Sequence, residues 1–400
     1  MEKTEEKIIA VPGEDEQKRK NRLIIVILVL AVLAAGAVIW LIASLRNDSG
    51  WREITVKSGP EPDCSTSFSF WYRISRSEGG RDYSAVSAAY ANAAKRLYGI
   101  FDAAGAHEGI VGMWAVNASP GEAVTVEPEL YRAFSQMEED GGRFLYLAPV
   151  YAVYHELFFS SDDLLAAEYD PYRNAETAAY FAELMPFLTD PGHVRLELLG
   201  NDTVRLVLSD EYAAFAAENG ITRFIDFYWM ENAFILDLLA ESIAATGYTM
   251  GYVVSREGWI RCLDGSGEKY ALAVLDRQGQ SVRTAAKMIY DGPMQIVSLH
   301  DHAEEDTYSD YYFAWPDGSY ATAYADPADG YYKSAYSDLI LYGRDTSCAG
   351  LLLAAAKMMI ADEADPDLPG ELDKAGIWAV FRDGNALTAY GPAEFEKPQN

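Results

Sequence analysis

Apolar and polar positions follow several distinct rhythms along this chain, and the longest apolar run comes first. Residues 23–45 read LIIVILVLAVLAAGAVIWLIASL, 23 positions without a charged side chain. At 1.5 Å rise per residue they make a helix about 34 Å long, enough for a hydrocarbon core of roughly 30 Å. A globular helix would carry a polar stripe and this run has none, so it predicts a transmembrane helix. Lys18, Arg19, Lys20 and Arg22 precede it, and only Arg46 and Arg52 follow closely. That cation excess predicts a cytoplasmic N-terminus and a main domain outside the cytoplasm. The length argues for an uncleaved anchor, because a signal peptide has an apolar region of about 7–15 residues. No cysteine stands at the end of the run to carry a lipid.

Beyond the run, helical and strand periods alternate. Val86, Tyr90, Ala93, Leu97 and Phe101 recur at three- and four-residue spacing, which predicts an amphipathic helix over about 84–101. Val194, Leu196 and Leu198 alternate with polar positions, Gly200-Asn201-Asp202 turns the chain, and Val204, Leu206 and Leu208 alternate again. This predicts a β-hairpin. Residues 210–219 read as a short helix stopped at Gly220, and Phe234 to Ile243 as a second helix ending before Gly247. Residues 251–262 read as a strand. The almost wholly apolar stretch 347–360 predicts a buried helix, and 378–390 a last hairpin turning at Asp383-Gly384. Hairpins mixed with helices predict an α+β domain with a largely antiparallel sheet. The expected organisation is a cytoplasmic tail (1–22), the membrane helix (23–45), a linker (46–63), one domain (64–390) and a C-terminal tail (391–400).

Charge narrows the partners. Residues 1–22 hold six basic and six acidic side chains, so the net charge of -29 belongs to the remainder. A surface that acidic repels phosphate backbones and excludes nucleic acid as a partner. Cys64, Cys262 and Cys348 are too few and scattered for a disulfide framework. One disulfide with a leftover thiol is open to them, and burial as small core residues is the stronger expectation.

Three segments together resemble the ApbE-type flavin transferases, the FAD:protein FMN transferases. FIDFYWMENAFILD, ending at Asp237, is similar to the family's D-L-G-G-I-A-K-G-Y-A-A-D, with Asp226 and Asp237 eleven apart in both. Residues 307–330 resemble T-S-G-D-Y…DG…Y-S-H-I-I-D-P-x-T-G, with Asp310-Tyr311, Asp317-Gly318, Asp326-Pro327 and Gly330 in register. Residues 346–360 with 376–385 resemble the family's metal-binding helix and closing strand pair. The resemblance covers most of 64–390. It implies a T-fold-related α+β domain outside the cytoplasm. It further implies binding of FAD and magnesium, and transfer of FMN to a serine or threonine of a partner, often a redox-complex subunit.

Position by position the chemistry departs from that pattern. Gly350 stands where the family has a magnesium-binding aspartate, and Ala354 where it has a threonine or serine oxygen. Ala323 replaces the histidine before D-P, and Asn232 the lysine. Tyr228 and Trp229 replace a glycine pair, in space the cofactor would use; of a later pair Glu257 replaces one and Gly258 remains. No carboxylate lies between Asp345 and Asp362, so no small shift of register restores the metal ligand. Tyr228, Trp229, Glu257, Gly258 and Asp310 are the candidate cleft positions. Asp237, Asp310 and Asp326 match the family as carboxylates suited to capping and turns.

Elsewhere the sequence offers little chemistry. His300, Asp301 and His302, followed by Glu304, Glu305 and Asp306, form the one dense group of metal-ligand types, and an exposed polar loop is the stronger expectation there. The 27 tyrosines suit sheet-face packing as readily as a stacking site. No phosphate loop and no nucleophile motif occurs. Asn47, Asn117 and Asn201 begin N-x-S/T triplets, and Pro120 after Ser119 disfavours the second. The leading expectation is a membrane-anchored, non-catalytic relative of the transferases that serves as a binding or scaffold module. The alternatives are an active transferase that recruits His300, His302, Glu304 or Glu257, and an interaction protein with a new surface.

Overall fold

The computed structural model describes residues 50–54, 68–74, 79–278, 281–302, 311–383 and 386–396. The expected tail (1–22) and membrane helix (23–45) lie outside them, and no described helix is long and apolar enough to cross a membrane. Two compact units divide the chain, Met1–Trp51 with Ile74–Tyr83, and Arg52–Arg73 with Ser84–Asn400. In the first, the described residues are only ends of two strands and the start of a helix. The second carries the fold.

In chain order the described elements begin with β1 (Gly50–Ile54), β2 (Phe68–Ile74), α1 (Gly79–Phe101), α2 (Met113–Ala118), β3 (Ala123–Thr125) and α3 (Pro128–Asp140). Next come α4 (Ala148–Phe158), α5 (Asp163–Glu168), α6 (Ala175–Thr189), β4 (Val194–Gly200), β5 (Thr203–Leu208), α7 (Asp210–Asn219) and α8 (Glu231–Ala245). Strands β6 (Gly251–Ser255), β7 (Ile260–Cys262), β8 (Lys269–Gln278), β9 (Ser281–Asp291) and β10 (Met294–His300) follow. The chain then forms β11 (Tyr312–Ala314), β12 (Tyr320–Thr322), β13 (Asp338–Gly343), α9 (Cys348–Met359) and α10 (Leu368–Lys374). It closes with β14 (Ile377–Asp383), β15 (Ala386–Ala389) and β16 (Glu394–Glu396).

An eight-stranded sheet in the order β1-β2-β6-β7-β10-β13-β14-β15 is the centre. From β2 to β15 every neighbouring pair is antiparallel. Helices α8 and α9 pack on the sheet. A three-stranded sheet, β16-β9-β8, buries Val274, Ala286 and Met288 against Ile260, Ile296, Ile340 and Val380. This double coverage explains β13 and α9. All six residues of β13 are buried, and nine of the twelve in α9 are. Removing a Leu of that kind from water contributes about 1.5–3 kcal/mol.

Several local rules are visible at work. The β4–β5 hairpin turns through Asn201 and Asp202 with φ of 49° and 56°, a turn whose two positive φ values Asn and Asp tolerate. Helix α7 is capped by the Ser209 hydroxyl and ends on Gly220 at φ 67°. Buried Asn117 accepts from the amides of Phe224 and Ile225 and donates to the Ile225 carbonyl, which fixes the strand-like segment leading to α8.

Three expectations need correction. Residues 251–262 are two strands, β6 and β7, folded back on each other at Arg256-Glu257-Gly258, because Gly258 adopts φ 83°. The supposed linker 46–63 contains β1, where the Ser69 hydroxyl donates to Glu53 across to β2. The supposed tail after 390 contains β16, which pairs with β9 through Phe395 and Met288. The final hairpin forms between 377 and 389; Gly384 and Asn385 at its tip lie outside the described residues.

Candidate functional site

The β6–β7 turn, the segment before α8, the middle of β8 and the end of β10 border a cavity of about 230 Å³. Trp229, Glu257, Trp259, His300, His302 and Tyr324 line it, together with Leu272, Ser298, Tyr311 and Tyr312. The wall is aromatic because consecutive elements turn their rings inward. Trp229 meets Tyr324 edge-on at 5.0 Å, and the Trp259 indole N–H donates to the Ser298 carbonyl at 2.7 Å. The Tyr312 and Tyr324 hydroxyls are 2.6 Å apart.

Of the expected pair, Trp229 faces the cavity and Tyr228 packs elsewhere. The Tyr228 ring stacks on Tyr151 at 4.9 Å and meets Tyr311 edge-on at 5.5 Å. Its backbone holds φ 46°, a left-handed conformation that glycine adopts freely and a tyrosine only under constraint. Asp226 supplies part of that constraint by accepting from the Tyr228 amide at 2.9 Å.

Asn232 sits in the first turn of α8, buried, and donates from Nδ2 to Glu257 Oε1 at 2.7 Å. The other carboxylate oxygen, Oε2, is buried with no hydrogen-bond partner among the described residues. Burial pushes the Glu257 carboxyl above the usual range, and the hydrogen bonds from Ser255 and Asn232 only partly offset it. Gly258 lies beside it in the turn. Ala323 is fully buried, its amide bonded to the Tyr311 carbonyl, and brings no polar atom from its side chain.

The magnesium positions do not offer a donor set. Gly350 and Ala354 lie on α9, and neither has a side-chain oxygen. The Gly350 amide is satisfied by Ser347 Oγ, and a Cβ built there would stand 3.1 Å from Thr346 Oγ1. Asp237, on α8, accepts from the Cys348 and Ala349 amides at 3.0 and 2.9 Å, one on each carboxylate oxygen. It therefore caps α9, the capping duty its spacing suggests. A hard cation takes several oxygens in an octahedral or larger shell, and these residues do not supply them. Asp326 accepts from the Ala328 amide in a turn and pairs with Lys333 at 2.6 Å. Asp310 and Glu304 lie outside the described residues.

His300 and His302 depart from the exposed loop expected of them. His300 ends β10, and His302 is 1% exposed. Sequence reasoning missed Asp338, which stands opposite His300 in the β10–β13 register and is 2% exposed. A signal for it exists. Asp338 opens the otherwise apolar strand DLILYG, in phase with Ile340 and Tyr342, where a lone carboxylate needs a partner. The cysteines behave as expected where described: Cys262 and Cys348 are buried free thiols, and burial pushes Cys262 up to about 11. Cys64 is outside the described residues.

A largely antiparallel eight-stranded sheet, backed by helices on one face and a second small sheet, defines an ApbE-like α+β fold. Solved structures make the likeness specific. The ApbE protein of Thermotoga maritima superposes with a TM-score of 0.58 at 14% identity, covering 85% of this chain and 96% of that one. The flavinyl transferase ApbE of Pseudomonas stutzeri gives 0.52 at 16% identity, covering 86% and 94%. The flavin transferase ApbE of Vibrio cholerae gives 0.55 at 12%, covering 85% and 97%. At such identities the likeness is one of fold. No family model matches the sequence, and no curated protein matches it.

Proposed function

We propose that this chain is a membrane-anchored, extracytoplasmic protein that keeps the ApbE-like fold without its magnesium-dependent FMN transfer. It acts as a binding or scaffold module for a protein partner, either a flavin-carrying redox subunit or another envelope protein. One observation carries the reading. Both oxygens of Asp237 accept from the α9 amides, while Gly350 and Ala354 on that helix bring no side-chain oxygen. Transfer from FAD needs a cation to hold two phosphates and an incoming hydroxyl together, and the two α9 positions that would ligate it carry no side-chain donor. The cleft is also narrow: about 230 Å³ falls short of the roughly 300–1,000 Å³ usual for drug-sized ligands.

The test is a transfer assay with the full chain in detergent, FAD, magnesium and a flavin-acceptor domain, the acceptor being weighed by mass spectrometry. No adduct is expected while a Vibrio cholerae ApbE control modifies the same acceptor. An adduct above the enzyme-free background would replace this reading with a second one, an active transferase with relocated ligands. The convergence of Glu257, His300 and His302 on one cleft is the observation that favours it.

A further inference from the structure

We propose that His300, His302 and Asp338 form a binding site for a divalent transition-metal ion at the wall of the aromatic cleft. The sheet builds the site. His300 and Asp338 are cross-strand partners, so their side chains rise from the same face, and His302 returns toward them two residues past the end of β10. His300 Nδ1 lies 2.8 Å from Asp338 Oδ1, and His302 Nε2 lies 4.0 Å from that oxygen. One donor atom from each residue falls within 4.8 Å of the others.

Two buried atoms point to a missing partner. His302 Nε2 and Asp338 Oδ2 are both sealed from solvent, and neither has a hydrogen-bond partner among the described residues. Orphaned buried polar atoms cost about 1–3 kcal/mol each and are rare. The His302 tautomer is set from behind: Nδ1 lies 2.8 Å from Asp301 Oδ1, a carboxylate that accepts, so Nδ1 carries the hydrogen. The lone pair on Nε2 then faces Asp338. A carboxylate behind a histidine is the arrangement that orients metal-ligating imidazoles. A proton on Nε2 would not replace the ion, because 4.0 Å is too long for a hydrogen bond.

The donor set chooses the metal. Two imidazoles and one carboxylate suit zinc, iron(II), cobalt(II) or manganese(II), whereas magnesium prefers oxygen throughout. Ligand atoms around such an ion stand roughly 3.4 Å apart, so closing the present spacing needs shifts of about 1 Å or less. Both histidines line the cavity, so the ion would sit at the wall of the cleft. The inference does not rest on the absence of FMN transfer, and its test reads metal, not flavin.

The experiment uses the full chain in detergent, purified without a histidine tag, stripped with a chelator and dialysed against zinc or cobalt(II) with magnesium in large excess. Expected are one zinc or cobalt per chain by mass spectrometry of the metal, and visible d–d bands of a low-coordinate cobalt site. His300→Gln, on the partly open side, and Asp338→Asn are each expected to weaken binding at least about 100-fold, beyond the 10–100-fold typical of outer-shell changes. His300→Gln keeps the test valid should Asp338→Asn fail to fold, with circular dichroism as the check. Substoichiometric metal, a cobalt spectrum like that of the aqua ion, or unchanged uptake by folded His300→Gln would overturn the site.

Discussion

Glu257 shows most clearly what single residues have become in this cleft. Its carboxyl is buried, with Asn232 donating to Oε1 while Oε2 has no hydrogen-bond partner among the described residues. Its folded-state pKa lies above the ordinary 4.5, so the protonated form is the one folding favours. The stability it contributes is complete below the ordinary value and is lost as pH rises through the raised one. Glu257→Gln keeps an acceptor for Asn232 and removes the charge. Thermal melts of the variant and the parent are expected to coincide near pH 4, with the variant melting higher by a growing margin toward pH 8. A parallel pair of curves would show that the carboxylate is solvated. The roles of such residues were partly legible: the family resemblance placed Tyr228, Trp229 and Glu257 in one cleft and put Asn232 at the lysine position. It did not reveal that the two neighbouring rings part company, Trp229 toward the cavity and Tyr228 toward Tyr151. That divergence follows from a left-handed φ, which no side-chain pattern announces.

Elements with a strong period or clear punctuation were readable. The β4–β5 hairpin, α7 with its serine cap and glycine stop, and the apolar α9 follow from local rules, and the structure agrees with them. The β6–β7 segment was misread because its apolar alternation continues on both sides of a turn too short to break the pattern. Asp338 was missed for the opposite reason, since its meaning depends on β10, 38 residues away in sequence. The packing of α8 against α9 is also non-local, and it hangs on Asp237. Replacing Asp237 with Ala leaves the first amides of α9 buried and unpaired, a loss expected to destabilise the chain by about 2–3 kcal/mol. Urea denaturation should show it, with Asp237→Asn in between because its amide oxygen still accepts one of the two bonds.

Across the whole molecule the acidic excess belongs outside residues 1–22, and the proposed membrane anchor rests on the sequence of 23–45 together with its flanking cations. Composition bears on the partners the surface can attract and leaves the fold untouched, because the fold depends on long-range strand pairing. Asn117 ties these scales together. Its amide group is spent on Phe224 and Ile225 inside the protein, whereas Asn201 stands exposed at a hairpin tip. Each begins an acceptor triplet for oligosaccharide transfer, the one at Asn117 further disfavoured by Pro120 after Ser119. Expressed in a eukaryotic secretory membrane, a correctly folded chain with its domain in the lumen is expected to carry sugar at Asn201 and to leave Asn117 bare, as an endoglycosidase digest with peptide mapping would show. Sugar at neither site would put the domain on the cytosolic side. Sugar at Asn117 would mean that the enzyme reached it before the chain closed, so this one buried amide can serve as a stopwatch for folding as well as a compass for orientation.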